Sequence, residues 1–318
     1  MNSNGTMQAI RIHSYGGLEK LVLENVPRPA PAQGEVLVRI KAAGVNPVDW
    51  KTRKGGGVAG LLGNAFPLIL GWDISGEVAA LGPDAHGFRI GDEVYGMIRF
   101  PKVGGAYAQY ATAPAEHLAI KPKVANHLET AALPVAALTA WQALFDTADL
   151  KAGQRVLIHA AAGGVGHMAV QLAKWKGAYV VGTASKPNHD FVKALGADEV
   201  FDYSAGRFEE ALRDFDMVLD AVGPEVAARS YPVLRKGGML VSITHSGKAE
   251  AAARFLVRQE NILVRPDHEQ LKAIAGLIDA GSLRSMIERV FPLAEARQAH
   301  EHGEKGRSRG KIVLSIPE

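Results

Sequence analysis

The chain contains no cysteine in its 318 residues. That absence excludes disulfides, thiolate nucleophiles and every zinc site built on sulfur ligands. An excess of one charge sign is missing too. Lys and Arg number 36 against 33 Asp and Glu, a formal net charge of +3 with the two signs interspersed, too little for a dedicated nucleic-acid or membrane-surface protein. Long apolar runs are lacking: the nearest approach, Val156 to Leu172, is broken by His159, a glycine-rich stretch and His167, so no membrane-spanning helix is expected. The amino end shows no basic stretch followed by an apolar one and does not read as a secretory signal. The residues before Met7 read as a flexible extension, and a cytoplasmic protein is the expectation.

What is present is the balance of an ordinary globular protein, 47% hydrophobic and 22% charged, in a length suited to two domains. From Gln8 to about Ala119, short runs such as Gln8–His13, Leu21–Val26, Val36–Gly44 and Gly76–Leu81 are cut by Gly and Pro, predicting a mostly β segment. A helical spacing over Glu129–Ala148 carries Leu133, Leu138, Trp141 and Leu144, with a boundary or kink at Pro134. From Gln154 onward apolar runs alternate with helical ones. The runs at Arg155–His159, Tyr179–Thr183, Glu199–Phe201, Asp216–Asp220, Met239–Ile243 and Ile262–Val264 predict a doubly wound parallel sheet. A helix at Gln270–Ala280 and a strand at Lys311–Ile316 find no place in that sheet and are expected to return to the first domain. The expected division is 1–125 for the first part of a β-rich domain, 126–265 for the α/β domain and 266–318 for the returning part.

Between the first strand and helix of the α/β segment lies Ala161-Ala162-Gly163-Gly164-Val165-Gly166. Against G-x-G-x-x-G, Ala161 takes the first glycine position, Gly163 the second and Gly166 the third. Gly163 would let the backbone meet a pyrophosphate, Gly166 would let helix and strand pack closely, and the helix N-terminus supplies free N–H groups. After the second strand, where a fold that prefers NAD shows an acid, the chain reads Gly182-Thr183-Ala184-Ser185-Lys186. A hydroxyl and an ammonium suit a 2′-phosphate, so NADPH is expected over NADH.

At Gly44-Val45-Asn46-Pro47-Val48-Asp49-Trp50-Lys51, Gly71 to Val78, Gly91-Asp92-Glu93-Val94-Tyr95-Gly96, Leu138-Thr139-Ala140-Trp141, Ala160 to Gly166 and Arg309 to Leu314, the chain resembles the medium-chain dehydrogenases/reductases. It is most similar to their zinc-independent quinone oxidoreductase branch, the zeta-crystallin-like enzymes. The resemblance implies a Rossmann sheet inserted in a discontinuous GroES-like β-rich catalytic domain. Where the zinc-dependent alcohol dehydrogenases carry a ligand Cys, this chain has Asn46, and where they read Gly-His-Glu it has Gly71-Trp72-Asp73. No metal is therefore expected. His300 and His302, with Glu301 between them, read as a solvated polar segment.

The resemblance further implies reduction of a quinone or an α,β-unsaturated carbonyl by NADPH, in a homodimer joined through the edge strand near Ile262–Val264. Asn46 is the first candidate to donate a hydrogen bond to the substrate oxygen, and Thr139 the second catalytic candidate, on the nicotinamide side. The cofactor candidates are Gly163, Gly164, Val165, Gly166, Ser185, Lys186, Tyr203, Val222, Gly223, Ile243, His245 and Lys311. Among them Tyr203 joins Ser185 and Lys186 in a 2′-phosphate clamp, and His245 is also a candidate proton donor. The alternative is an NADPH-binding structural protein of low turnover, as in the lens crystallins of this branch.

Overall fold

The computed structural model describes residues 5–245 and 248–317. The part of the expected N-terminal extension before residue 5 lies outside them, and Thr6 already belongs to the first strand. In chain order the first half of the chain forms β1 (Thr6–Ile12), β2 (Val22–Pro27), β3 (Glu35–Val45), α1 (Pro47–Arg53), α2 (Ala59–Leu62), β4 (Leu68–Ile69), β5 (Asp73–Leu81), β6 (Glu93–Met97), β7 (Tyr110–Pro114), β8 (Leu118–Ile120), α3 (His127–Ala131) and α4 (Pro134–Trp141). There follow β9 (Arg155–Ile158), α5 (Gly164–Trp175), β10 (Tyr179–Ala184), α6 (His189–Ala194), β11 (Glu199–Asp202), α7 (Phe208–Ala211), β12 (Phe215–Asp220), α8 (Pro224–Ser230), β13 (Leu234–Ser242), α9 (Ala249–Ala253) and β14 (Arg258–Asn261). The chain ends with α10 (His268–Asp279), β15 (Ile287–Pro292), α11 (Ala296–Glu304) and β16 (Lys311–Ser315).

Two compact units result, one from residues 1–138 with 265–318 and the other from 139–264. The expected break at 125/126 differs from the observed one because α3 packs on β3 and β5. The helical stretch expected over Glu129–Ala148 is divided into α3, α4 beginning at Pro134, and a π-helical turn at Gln142–Thr147. Proline without an N–H donor is tolerated where a helix starts.

In the first unit a seven-stranded sheet runs β15-β16-β3-β5-β6-β8, with β7 also paired to β3, and β2-β1-β4 form a separate sheet. The tail thus returns to this unit: β16 pairs antiparallel with β3 and parallel with β15, a strand the sequence reading did not foresee. Ile10, Val38, Ile40, Ile74 and Leu314 belong to its buried core.

The second unit is a parallel sheet in the order β11-β10-β9-β12-β13-β14. The order reverses between β9 and β12, the point outside which open α/β sheets bind ligands. Its inner strands bury Leu157, Val181, Val218 and Leu240 together, as expected for strands covered on both faces. The sixth strand is Arg258–Asn261 and not the expected Ile262–Val264.

Candidate functional site

The first unit gathers buried polar side chains around the end of β3. Asn46 precedes α1, where Pro47 opens the helix and the Asp49 carboxylate accepts the Asn46 N–H at 2.7 Å. Capping of this kind fixes the residue at the helix entrance. Asn46 Nδ2 donates to Asp73 Oδ2 at 2.8 Å, and Lys311 Nζ donates to Asn46 Oδ1 in a short contact and to Val45 O at 3.1 Å. Lys311 Nζ also lies 3.7 Å from Asp73 Oδ2, while Asp73 Oδ1 accepts Val135 N at 2.8 Å. An ammonium can only donate and a carboxylate here only accepts, so the Asn46 amide has one permitted orientation. One Nδ2 hydrogen has no partner among the described residues. Burial pushes the Asp73 carboxyl up, with Lys311 pulling it back, and burial pushes the Lys311 ammonium down.

A second chain of contacts runs from Asp49 toward α11. Tyr107 OH donates to Asp49 Oδ2 at 2.7 Å and lies 3.1 Å from His300 Nε2. His300 Nδ1 faces Arg53 Nη1 at 3.4 Å, and Glu304 accepts from Arg53 at 2.6 Å and from Lys54 at 2.7 Å. Because Arg53 only donates, His300 Nδ1 accepts, its Nε2–H donates to Tyr107, and the Tyr107 proton points at Asp49. His300 is fully buried, which corrects its reading as part of a solvated segment; His302 stays partly exposed and bonds Glu288 at 3.1 Å. Burial, then the Arg53 and Lys54 charges, hold the His300 imidazole down to about 3. Burial pushes Asp49 up to about 7 against the Tyr107 and Asn46 hydrogen bonds, and among the described residues its Oδ1 has no hydrogen-bond partner.

The second unit places the cofactor candidates along one sheet edge, with the exception of Lys311. Gly163–Gly166 follow β9, Ser185 and Lys186 follow β10, Tyr203 follows β11, Val222 and Gly223 follow β12, and Ile243–His245 follow β13. Parallel pairing sets Ala184 against Asp202, which brings Ser185 and Lys186 beside Tyr203 at neighbouring strand ends. Tyr203 is 59% exposed. Ser204, bonded to Asp202 Oδ1 through N and Oγ at 2.9 and 2.6 Å, holds the Asp202 carboxyl low, with His189 and Lys186 adding to the effect. Thr139 is buried in α4. Lys311 belongs to the first unit, where its donors go to Asn46 and Val45.

The glycine turn fits a dinucleotide on its own geometry. A Cβ at Gly166 would come 2.1 Å from Ala160 O, so the close packing of α5 on β9 requires glycine there. A Cβ at Gly163 would meet only Ala160 O, at 3.2 Å. Among the described residues no side chain caps α5, which leaves the first-turn N–H groups of Gly164, Val165 and Gly166 without an intrahelical acceptor at the positive end of the helix. Gly163 to Gly166 would therefore receive the pyrophosphate, and Ser185, Lys186 and Tyr203 the adenosine ribose side.

The sequence reading missed Asp49, Asp73, Tyr107 and His300 as members of the first cluster. Asp49 and Asp73 stand inside the quoted motifs Asn46-Pro47-Val48-Asp49 and Gly71-Trp72-Asp73; nothing local marks Tyr107 or His300.

Residues 195–314 match the zinc-binding dehydrogenase family and residues 32–123 the alcohol dehydrogenase GroES-like domain. The chain is 35% identical to the chloroplast envelope quinone oxidoreductase homolog of Arabidopsis thaliana, over 97% of this chain and 98% of that protein. It is 34% identical to the mitochondrial NAD(P)H oxidoreductase RTN4IP1 of Danio rerio, over 89% of this chain and 84% of that protein. The solved structure of the quinone oxidoreductase from Coxiella burnetii superposes with a TM-score of 0.93 at 41% identity, covering 98% of this chain and 100% of that one. With a GroES-like unit, a six-stranded Rossmann sheet and relatives of this kind, the chain is an oxidoreductase of the medium-chain dehydrogenase/reductase family, in its quinone oxidoreductase branch, and works with a nicotinamide cofactor.

Proposed function

We propose that the chain is an NADPH-dependent, zinc-independent reductase of small quinones or α,β-unsaturated carbonyls. The observation that carries this reading is the Asn46 amide, fixed at one end by Asp73 and at the other by Lys311, at the position where the resemblance puts a zinc-ligand cysteine. When bound, the cofactor supplies a hydride from C4 of its nicotinamide to the electrophilic carbon of the acceptor. Negative charge then grows on the substrate oxygen, and Asn46 offers its remaining Nδ2–H to that oxygen. A donor whose orientation is already fixed stabilises such charge without reorganising. Thr139 acts on the nicotinamide side, and a proton from solvent or His245 completes the reduced product.

Ser185, Lys186 and Tyr203 support NADPH over NADH. No acid follows β10, and an ammonium beside two hydroxyls favours a phosphate dianion. A homodimer paired through the edge strand of the second unit completes the reading, with the edge moved to Arg258–Asn261.

The test is NADPH oxidation followed over a panel of small quinones and enones, with and without a metal chelator. Acceleration by at least one acceptor, unchanged by the chelator, is expected. A panel in which no quinone, enone or other carbonyl compound accelerates the oxidation overturns the reading, and tight NADPH binding in the same preparation would then identify a binding protein.

A further inference from the structure

Asp220, the last residue of β12, is fully buried and accepts four hydrogen bonds. Its Oδ1 takes the N–H groups of Val222 and Gly223 at 2.9 and 3.0 Å. Its Oδ2 takes the hydroxyls of Ser242 and Thr244 at 2.8 and 3.1 Å. Backbone N–H groups can only donate, and with two hydroxyls on the other oxygen the carboxyl sits in the setting of an ionised acceptor. Every partner is a neutral dipole: among the described residues no Lys, Arg or His forms an ion pair with Asp220. Dipoles hold a buried carboxylate in place without cancelling its charge. The charge is felt by Tyr231, whose hydroxyl burial raises first and Asp220 raises further.

The carboxyl stands at a particular place in the sheet. β12 borders the point where the strand order reverses, and its register sets Asp220 against Ser242 at the end of β13. In front of it lie the two loops it braces, Val222–Gly223 and Ile243–His245, of which Val222 is 52% exposed and His245 is exposed. Among the described residues nothing lies within 4 Å of where a Cβ at Gly223 would stand, so the loop has no described neighbour on that side. In a sheet built of two mononucleotide-binding halves, the half with β10 and β11 serves the adenosine side and the half with β12 and β13 serves the nicotinamide side.

We propose that Asp220 poises the bound nicotinamide for hydride donation, its fixed negative charge behind the two loops favouring the cationic oxidised ring over the neutral reduced one. This rests on the nicotinamide-cofactor reading above. The two redox forms differ by one positive charge on the ring, so a nearby anion in a poorly solvated setting stabilises one and is nearly indifferent to the other. Asp220 is a positioning residue for the loops and, through its charge, a determinant of which redox form the site prefers.

Calorimetric titration of the full-length protein with NADP+ and with NADPH separates these effects. Asp220→Asn keeps the shape and removes the charge; it is expected to weaken NADP+ about tenfold and NADPH less than threefold. Thr244→Lys sets a cation beside Asp220 without altering β12 and is expected to shift the ratio of the two affinities in the same direction, which preserves the test should the first variant fold poorly. Ser242→Ala removes one hydroxyl and leaves the charge, and the affinity ratio should stay within twofold of the starting protein. Equal weakening of both nucleotides by Asp220→Asn, or an unmoved ratio in Thr244→Lys, overturns the proposal. A starting protein that binds neither nucleotide overturns the cofactor reading itself.

Discussion

Asn46 Nδ2 donates to Asp73 Oδ2 at 2.8 Å, and the bond decides which way the Asn46 amide faces. With Lys311 on the other end, rotation of the amide by half a turn would set an NH2 group against an ammonium and an oxygen against a carboxylate. Both contacts would then repel. The side chain is held before any substrate arrives, which is the condition for a hydrogen-bond donor to act on developing charge.

Removing that donor should slow turnover more than it weakens binding. Asn46→Ala is expected to lower kcat by about a hundredfold, the range for loss of one oriented donor, with the KM for NADPH nearly unchanged. Steady-state kinetics with a single quinone checks this. An equal effect on kcat and on the NADPH KM would assign Asn46 to cofactor binding.

The Lys311–Asp73 pair is buried on both sides, at 3% and 0% side-chain exposure. Lys311→Met leaves the Asp73 carboxylate without its cation and should destabilise the protein by about 3–5 kcal/mol, the cost of an uncompensated buried charge. Adding Asp73→Asn should give a double variant that loses less than the sum of the two single losses, because the charges share one environment. Urea unfolding of all three variants measures it, and strict additivity would show that the pair does not interact.

Acid should unfold the protein through its buried histidines. His159, bonded to Thr183 and Ser230 at 3.1 and 2.9 Å, is like His300 held by burial at about 3, against 6.5 for an exposed ring. Between these values the unfolded chain binds protons that the folded one does not, so stability falls as pH drops through the window. Asp49, raised from 3.8 to about 7, works the other way, since there the folded state holds the extra proton. Between about pH 4 and 6 the net effect of these three groups is about one proton, roughly 1.4 kcal/mol per pH unit. Asp49→Asn should add about one proton to that slope. Urea midpoints across this range, multiplied by the unfolding slope, give the number; an unchanged pH dependence in the variant rejects the account.

The proposed preference for NADPH over NADH is tested at Lys186. Lys186→Ala is expected to raise the KM for NADPH at least tenfold and that for NADH less than twofold, since the lost ammonium meets only the 2′-phosphate. Equal changes in both constants would refute the clamp with Ser185 and Tyr203.

The sequence disclosed what depends on apolar pattern and on glycine. Short runs such as Arg155–Ile158 and Tyr179–Ala184 are apolar because both faces are covered, and Gly166 is required by a backbone oxygen 2.1 Å from where its Cβ would stand. The edge strand Arg258–Asn261 escaped because it is polar: it is held by backbone pairing to β13, which leaves no mark on side-chain type. His300 escaped for a related reason. Its helix is polar in composition, and a buried polar residue differs from a solvated one only through partners distant in sequence, here Tyr107 and Arg53. Asn46 was legible through its motif, whereas the grip on it was not, because Asp73 and Lys311 reach it from β5 and β16.

The return of the tail as β16 has a consequence for the order in which the protein is made. Residues 139–264 are contiguous, and a contiguous unit can fold as soon as it leaves the ribosome. The first unit begins to emerge earlier yet lacks the strand beside β3, and with it the ammonium that holds Asn46, until Lys311 has been added. The contiguous second unit can thus form before the Asn46 amide is locked, and the grip on that amide waits for β16.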